Sequence, residues 1–226
     1  IPALLITAAA DRQGEPPASI QSKTLEYIEL LRGWDYKYSL DSTATTLAVY
    51  WGQILMNEVS TDAAAANINV YEYMANNASS DEKLVTLRQA ANQLDGDFGD
   101  WRVPWGEVNR YQRLNGDIVQ NFNDEAESLP VAFASSRWGS LASFGSRTYP
   151  GTKKMYGTSG NSFVAAVEFG DRVTAKAITA GGLHNDPNSP HFDDQAEMYT
   201  QGEFRDVLFY REDIEANLEK EYSPGN

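Results

Sequence analysis

The chain has 226 residues, 42% hydrophobic and 12% aromatic, with a formal net charge of −14. This is globular rather than disordered composition, and its excess of carboxylates disfavours nucleic-acid phosphates and anionic lipid as partners. The absence of cysteine excludes disulfides, thiolate nucleophiles and Cys–zinc centres, and no apolar run approaches the ~20 residues of a membrane span.

The opening PALLITAAA lacks a basic stretch and an initiating Met, so it does not read as an intact signal peptide. A chain starting at Ile1 is expected to be processed, or cut from something longer. Residues 1–95 then read as mainly helical. Leu25, Ile28 and Leu31 predict a helix stopped by Gly33 just past its end. Asp41 or Ser42 can cap a helix carrying Leu47, Tyr50, Trp51, Ile54 and Leu55 on one side. The Ala63–Ala66 run reads as a further helix or its lead-in. Ser79 with Glu82 three residues on forms a capping-box pattern, opening a helix with Leu84, Leu87, Ala91 and Leu94 along one stripe.

From residue 96 to 226 Gly, Trp and Pro become frequent, and a β-rich segment with C-terminal helices is expected. Pro104 forbids a helix through its own position. Residues 116–133 read as loop with isolated extended pieces, and 137–147 as holding a strand. Alternation over Ser162–Phe169 predicts a strand with Phe163, Ala165, Val167 and Phe169 on one face. Gly170-Asp171 would turn it into a second strand over Arg172–Ala180. A helix is expected over His191–Thr200, and a last one from Arg211 with Ile214 and Leu218 a turn apart, ending before Pro224. With no linker between them, the two segments make one α+β fold, a helical N-terminal half packed with a β-rich C-terminal half.

Several clusters resemble sites. His184 and His191 with Asp186, Asp193 and Asp194 offer metal-ligand chemistry, but their spacing suits no H-E-x-x-H or EF-hand motif. Short polar side chains there favour turns. Asp193, Asp194 and Glu197 can be read as paired acid/base carboxylates or as acids favoured by the first turn of a helix. Ser159 in TSGNS is not a G-x-S-x-G elbow. Gly160 there permits a bend, across which Asn161 can bond backbone. Trp101, Trp105 and Trp138 can form a ligand platform or close a core. The GTKK of Gly151–Lys154 lacks the upstream Gly of a phosphate-binding loop.

ELLRGWDYKYSLDS (29–42), WRVPWGEVNRYQR (101–113), YGTSGNSFVAAVEFGDRV (156–173) and SPHFDDQAEMYTQGEFRDVLFYREDIEANL (189–218) together resemble the penicillin acylase and acyl-homoserine-lactone acylase group of N-terminal-nucleophile hydrolases. The resemblance implies an αββα sandwich, export to the periplasm or beyond the cell, and no cofactor or metal. It also implies hydrolysis of amides of the penicillin or acyl-homoserine-lactone type, by an N-terminal Ser working through an acyl-enzyme with an oxyanion hole.

The matching segments belong to the later part of a family β chain. Nucleophile and oxyanion-hole Asn therefore map onto no residue here, and the chain alone is expected to be inactive. Its partners would be the α chain and the N-terminal part of the β chain, with a small-molecule amide as substrate. Some members use a late acid to orient a His beside the nucleophile. Glu168 lies in that region, with a strand carboxylate paired to an Arg as the other reading. Two alternatives remain: a stand-alone binding module with the Trp-rich middle as its surface, and a hydrolase using Asp193, Asp194 or Glu197.

Overall fold

A computed structural model describes residues 18–218, 220, 221 and 223. The readings of PALLITAAA, of Ile1 and of Pro224 fall outside these residues.

Helix α1 spans Ala18–Arg32. Its buried stripe is Thr24, Tyr27, Ile28 and Leu31, spaced i, i+3, i+4 and i+7 as a helix facing a core demands. Leu25, expected on that stripe, is one position off it and exposed. The Gly33 N–H closes the helix end by donating to the Glu29 carbonyl at 3.0 Å.

Helix α2 spans Thr43–Ala65, and Ser42 caps it by accepting from the Thr45 N–H. The Ala63–Ala66 run is therefore the end of this helix rather than a further one. Alanine propagates helix readily, and the break comes at Asn67, whose φ of 53° is left-handed. A short helix α3, Val70–Asn76, follows with Asn69 as its cap. Helix α4, Ser80–Phe98, opens on the expected capping box and ends at Gly99 with φ of 86°, a conformation glycine adopts without steric cost.

Helices α1, α2 and α4 bury Leu31, Leu47, Trp51, Leu55, Leu87 and Leu94 in one core. The Trp51 indole N–H, buried within it, donates to the Lys83 carbonyl at 3.0 Å and to the Thr86 hydroxyl at 3.1 Å. That arrangement satisfies the ring's single polar group.

After Pro104 a single helical turn, α5 (Trp105–Val108), leads into β1 (Asn109–Tyr111). A four-stranded sheet then forms in the order β2-β1-β4-β3, from β2 (Leu129–Pro130), β3 (Phe144–Arg147) and β4 (Met155–Gly160). Strand β4 runs parallel to β1 and antiparallel to β3. It was not foreseen as a strand, because MYGTSG alternates poorly and carries two glycines.

A second sheet comprises β5 (Phe163–Glu168), β6 (Thr174–Thr179) and β7 (Arg205–Asp206), in that order. Glu168 pairs with Thr174, so residues 169–173 connect the strands and the expected two-residue turn is replaced by a longer loop. Val164 and Ile178, paired across the hairpin, face a second core with Val131, Phe144 and Tyr199. Phe163 and Val167, on the other face, are 58% and 49% exposed.

The last helices are α6 (Ala196–Gln201) and α7 (Arg211–Ala216). Leu218 thus lies beyond α7, and α6 starts five residues later than the expected His191. The fold is α+β.

The capping box gives the first prediction. The Glu82 carboxyl sits below its ordinary value because the Ser79 hydroxyl and then the Ser79 N–H donate to it. A depressed folded value means the contribution is present above the ordinary 4.5 and fades as pH falls through the folded value. Ser79→Ala should cost about 1 kcal/mol at pH 7. The difference from the parent should shrink below pH ~4, as read by urea denaturation at each pH.

Candidate functional site

Two clefts lie beside β4. The first, of about 490 Å³, is lined by the end of β1, the following loop, Gly157–Gly160 of β4, Asn161 and Tyr199. The second, of about 450 Å³, lies between α2 and the β3–β4 pair. Thr158 and Ser159 line both.

The TSGNS segment is built by local sterics. Gly160 has φ of 148°, and a Cβ placed there would stand 2.2 Å from the Ser143 carbonyl oxygen. Only glycine lets the two backbones approach so closely. Asn161 then clamps Ser143 from both sides: its N–H donates to the Ser143 carbonyl at 2.9 Å, and its Oδ1 accepts from the Ser143 N–H at 2.8 Å. The bend and the backbone bonding read from the sequence are both present. Ser159 itself sits inside β4, opposite Gly145. Its hydroxyl lies 3.4 Å from that of Thr158, a pairing that supplies no base.

The histidine–carboxylate region is turn chemistry. The Asp186 N–H donates to His184 Nδ1 at 3.0 Å, and Asp186 Oδ1 accepts from the N–H and side chain of Asn188. Those Asn188 bonds, backbone first, hold the Asp186 carboxyl below its ordinary range. His191 Nδ1 lies 2.9 Å from Asp194 Oδ2. Among the described residues no group of three or more His, Cys, Asp or Glu gathers as a metal would need.

Asp193 and Asp194 precede α6, and only Glu197 falls in its first turn. The three acids therefore do not share a helix face. Local bonding diverts this stretch from a helix: the Gln195 N–H, which would otherwise reach the His191 carbonyl, donates to the Gly181 carbonyl at 2.8 Å. His184 donates its N–H to the His191 carbonyl at 3.1 Å, and the Arg113 guanidinium donates to the Phe192 carbonyl.

Arg113 organises this loop. It also donates to the His184 carbonyl at 3.0 Å and stacks 4.0 Å above the Phe192 ring. Sequence reasoning did not single it out. Its partners are backbone carbonyls more than seventy positions away, 71 for His184 and 79 for Phe192.

The three tryptophans do not assemble one platform, although Trp105 and Trp138 both border the second cleft. Trp101 and Trp105 are buried in the helical core, Trp101 edge-on to Tyr27 at 4.6 Å. Trp138 is half-buried and packs on Gly52, where a Cβ would stand 3.0 Å from its ring. Glu168 stands exposed at the end of β5 and lines neither cleft. No ion pair joins it to an Arg among the described residues. No helix of the described residues is long and apolar enough to cross a membrane.

One residue missed from the sequence ties β1 to the segment after β2 and to β3. Asn109 is fully buried. Its Nδ2 donates to the carbonyls of Val131 and Phe133, each at 2.8 Å, and its Oδ1 accepts from the Ser146 hydroxyl at 2.6 Å. Its signal was a polar residue directly after the apolar Val108, at the point where a helical turn becomes a strand.

The sequence profile of a family described as penicillin amidase matches residues 2–216.

The second prediction concerns Asn109. Asn109→Ala removes a donor from the buried Val131 carbonyl, one of two donors from the half-buried Phe133 carbonyl and the acceptor of the Ser146 hydroxyl, and should destabilise the chain by about 3 kcal/mol. Ser146→Ala removes one bond and should cost about 1 kcal/mol. Urea denaturation midpoints measure both, and equal costs would contradict the network.

Proposed function

The chain belongs to the penicillin amidase family, and we propose that it is the later part of an acylase β chain acting on amides of the penicillin or acyl-homoserine-lactone type. The family assignment makes the whole protein an amide-hydrolysing acylase. The finer reading is that an N-terminal Ser supplied by another segment attacks the amide carbonyl. The resulting tetrahedral adduct expels the amine and leaves an acyl-enzyme, and water then releases the acid. Export to the periplasm belongs to the same reading.

The observation that carries the proposal is the uncovered face of the β5–β6 hairpin. Phe163, Val167 and Phe169 are 58%, 49% and 85% exposed, and Leu208 and Phe209 lie open nearby in sequence to β7. Among the described residues strand β5 is also the outer strand of its sheet, with one ladder edge unpaired. Large apolar side chains in such a row mark a surface that meets another piece of protein. The partners this reading assigns are the α chain and the N-terminal part of the β chain, whose strands would extend the sheet toward a sandwich. The engagement of both histidines in turn contacts agrees with a nucleophile held elsewhere.

Glu168 follows β5 to its end, on the face opposite Phe163 and Val167. In the assembled acylase it would act as a positioning residue, orienting a histidine beside the nucleophile rather than touching substrate.

Two tests follow. The purified 226-residue chain should show no turnover of a penicillin or an acyl-homoserine lactone, and co-production with the α chain and the preceding β-chain segment should restore it. Turnover by the chain alone would overturn the reading. Phe163→Glu with Val167→Glu should lower the yield of the assembled enzyme severalfold. In that enzyme Glu168→Gln should reduce kcat about tenfold and move the pH profile, with KM little changed. An unaltered pH profile would remove Glu168 from the site.

A further inference from the structure

The cleft between α2 and the β3–β4 pair holds about 450 Å³, a volume suited to a small organic ligand. Its walls are apolar where the helical core reaches the surface, with Val49, Ile54, Trp105, Trp138 and Met155 among them. Its charged lining residues are Arg137 and Arg147, and no acid lines it.

That arrangement is unexpected in a chain whose carboxylates outnumber its Lys and Arg by 32 to 18. Some arginines find acids, as Arg102 does Glu26, Arg172 Glu212 and Asp213, and Arg211 Glu215, while Arg110 and Arg113 spend their donors on backbone carbonyls inside the fold. Arg137 and Arg147 have no carboxylate partner among the described residues. Arg137 donates instead to the Gln53 side chain at 3.2 Å, and Arg147 lies 4.8 Å above the Tyr149 ring. Both guanidiniums are exposed and keep donors available.

A second observation comes from Tyr50, another residue of the lining. Its hydroxyl is buried and has no hydrogen-bond partner among the described residues. A buried polar group in that state is normally completed by water or by a ligand oxygen.

We propose that this cleft binds a monocarboxylate carried on an apolar stem. Arg137 and Arg147 hold the carboxylate, and the stem lies against Ile54, Trp138 and Met155. Guanidinium forks match carboxylate geometry, and the apolar part of a wall that also carries Gln53, Gln93 and Ser146 favours an acid with a chain or ring attached. The assignment rests on the cleft's own residues; its ligand shares the chemistry of the acid that amide hydrolysis would release, and octanoate held at another site would leave Ile54 and Met155 unmoved.

The test titrates sodium octanoate, with octan-1-ol as the uncharged control, into the intact protein that carries this chain. Calorimetry reads affinity, and methyl NMR of Ile54 and Met155 locates the ligand. Octanoate should bind saturably, shift both methyl signals and weaken as salt is raised. Arg137→Gln and Arg147→Gln should each weaken octanoate about tenfold while octanol binding stays the same. Circular dichroism checks that these exposed substitutions keep the fold. Equal affinity for octanoate and octanol, unmoved Ile54 and Met155 signals, or arginine variants with parental affinity would each overturn the proposal. So would absence of octanoate binding because another segment of the protein fills the cleft.

Discussion

The side-chain amide of Asn109 is the joint on which this architecture turns. It sits where the helical core ends and the first sheet begins, immediately after α5. Its two N–H groups and its carbonyl are all matched, reaching the segment after β2 and the edge strand β3. Its own backbone carbonyl accepts from the Val131 N–H at 3.0 Å. A buried amide so matched fixes geometry, because any shift of one partner orphans another. Both clefts are bounded by strands whose spacing this residue sets.

The helices were legible because their signals are local. Ser42, Ser79 with Glu82, and Gly33 act on neighbours three or four positions away, and the 3.6-residue period of Leu84, Leu87, Ala91 and Leu94 needs no tertiary knowledge. Leu25 escaped the same logic because a helix face is chosen by what it packs against, and Thr24 with Tyr27 won the buried stripe. The α+β class and the β5–β6 hairpin were also legible. Strand β4 was not, since its pairing with β1 and β3 compensates for a sequence with little alternation. Its Gly157 lies under the Phe144 ring, where a Cβ would stand 2.7 Å from the ring edge, so the glycine serves packing rather than a turn.

The region from His184 to Glu197 shows why composition alone misleads about sites. It gathers imidazoles and carboxylates in a short span, which is what metal and acid/base chemistry also require. The side chains instead serve the backbone: Asp186 bonds Asn188, and Arg113 donates to the Phe192 carbonyl. The loop's shape is thus written partly in Arg113, far away in sequence. Asn109, Arg113, Arg137 and Arg147 share this property, and each is ordinary until the fold brings its partners, or their absence, into view.

The free ladder edge of β5 beside bare aromatic rings also governs the chain's life before assembly. A strand edge left open among the described residues and flanked by phenylalanines is a template for a second copy of itself. Self-association of that kind rises with the square of concentration, whereas pairing with the proper partner rises with the partner's supply. The fate of newly made chains is therefore a race between two encounter rates, set by how much of each segment is made and how soon.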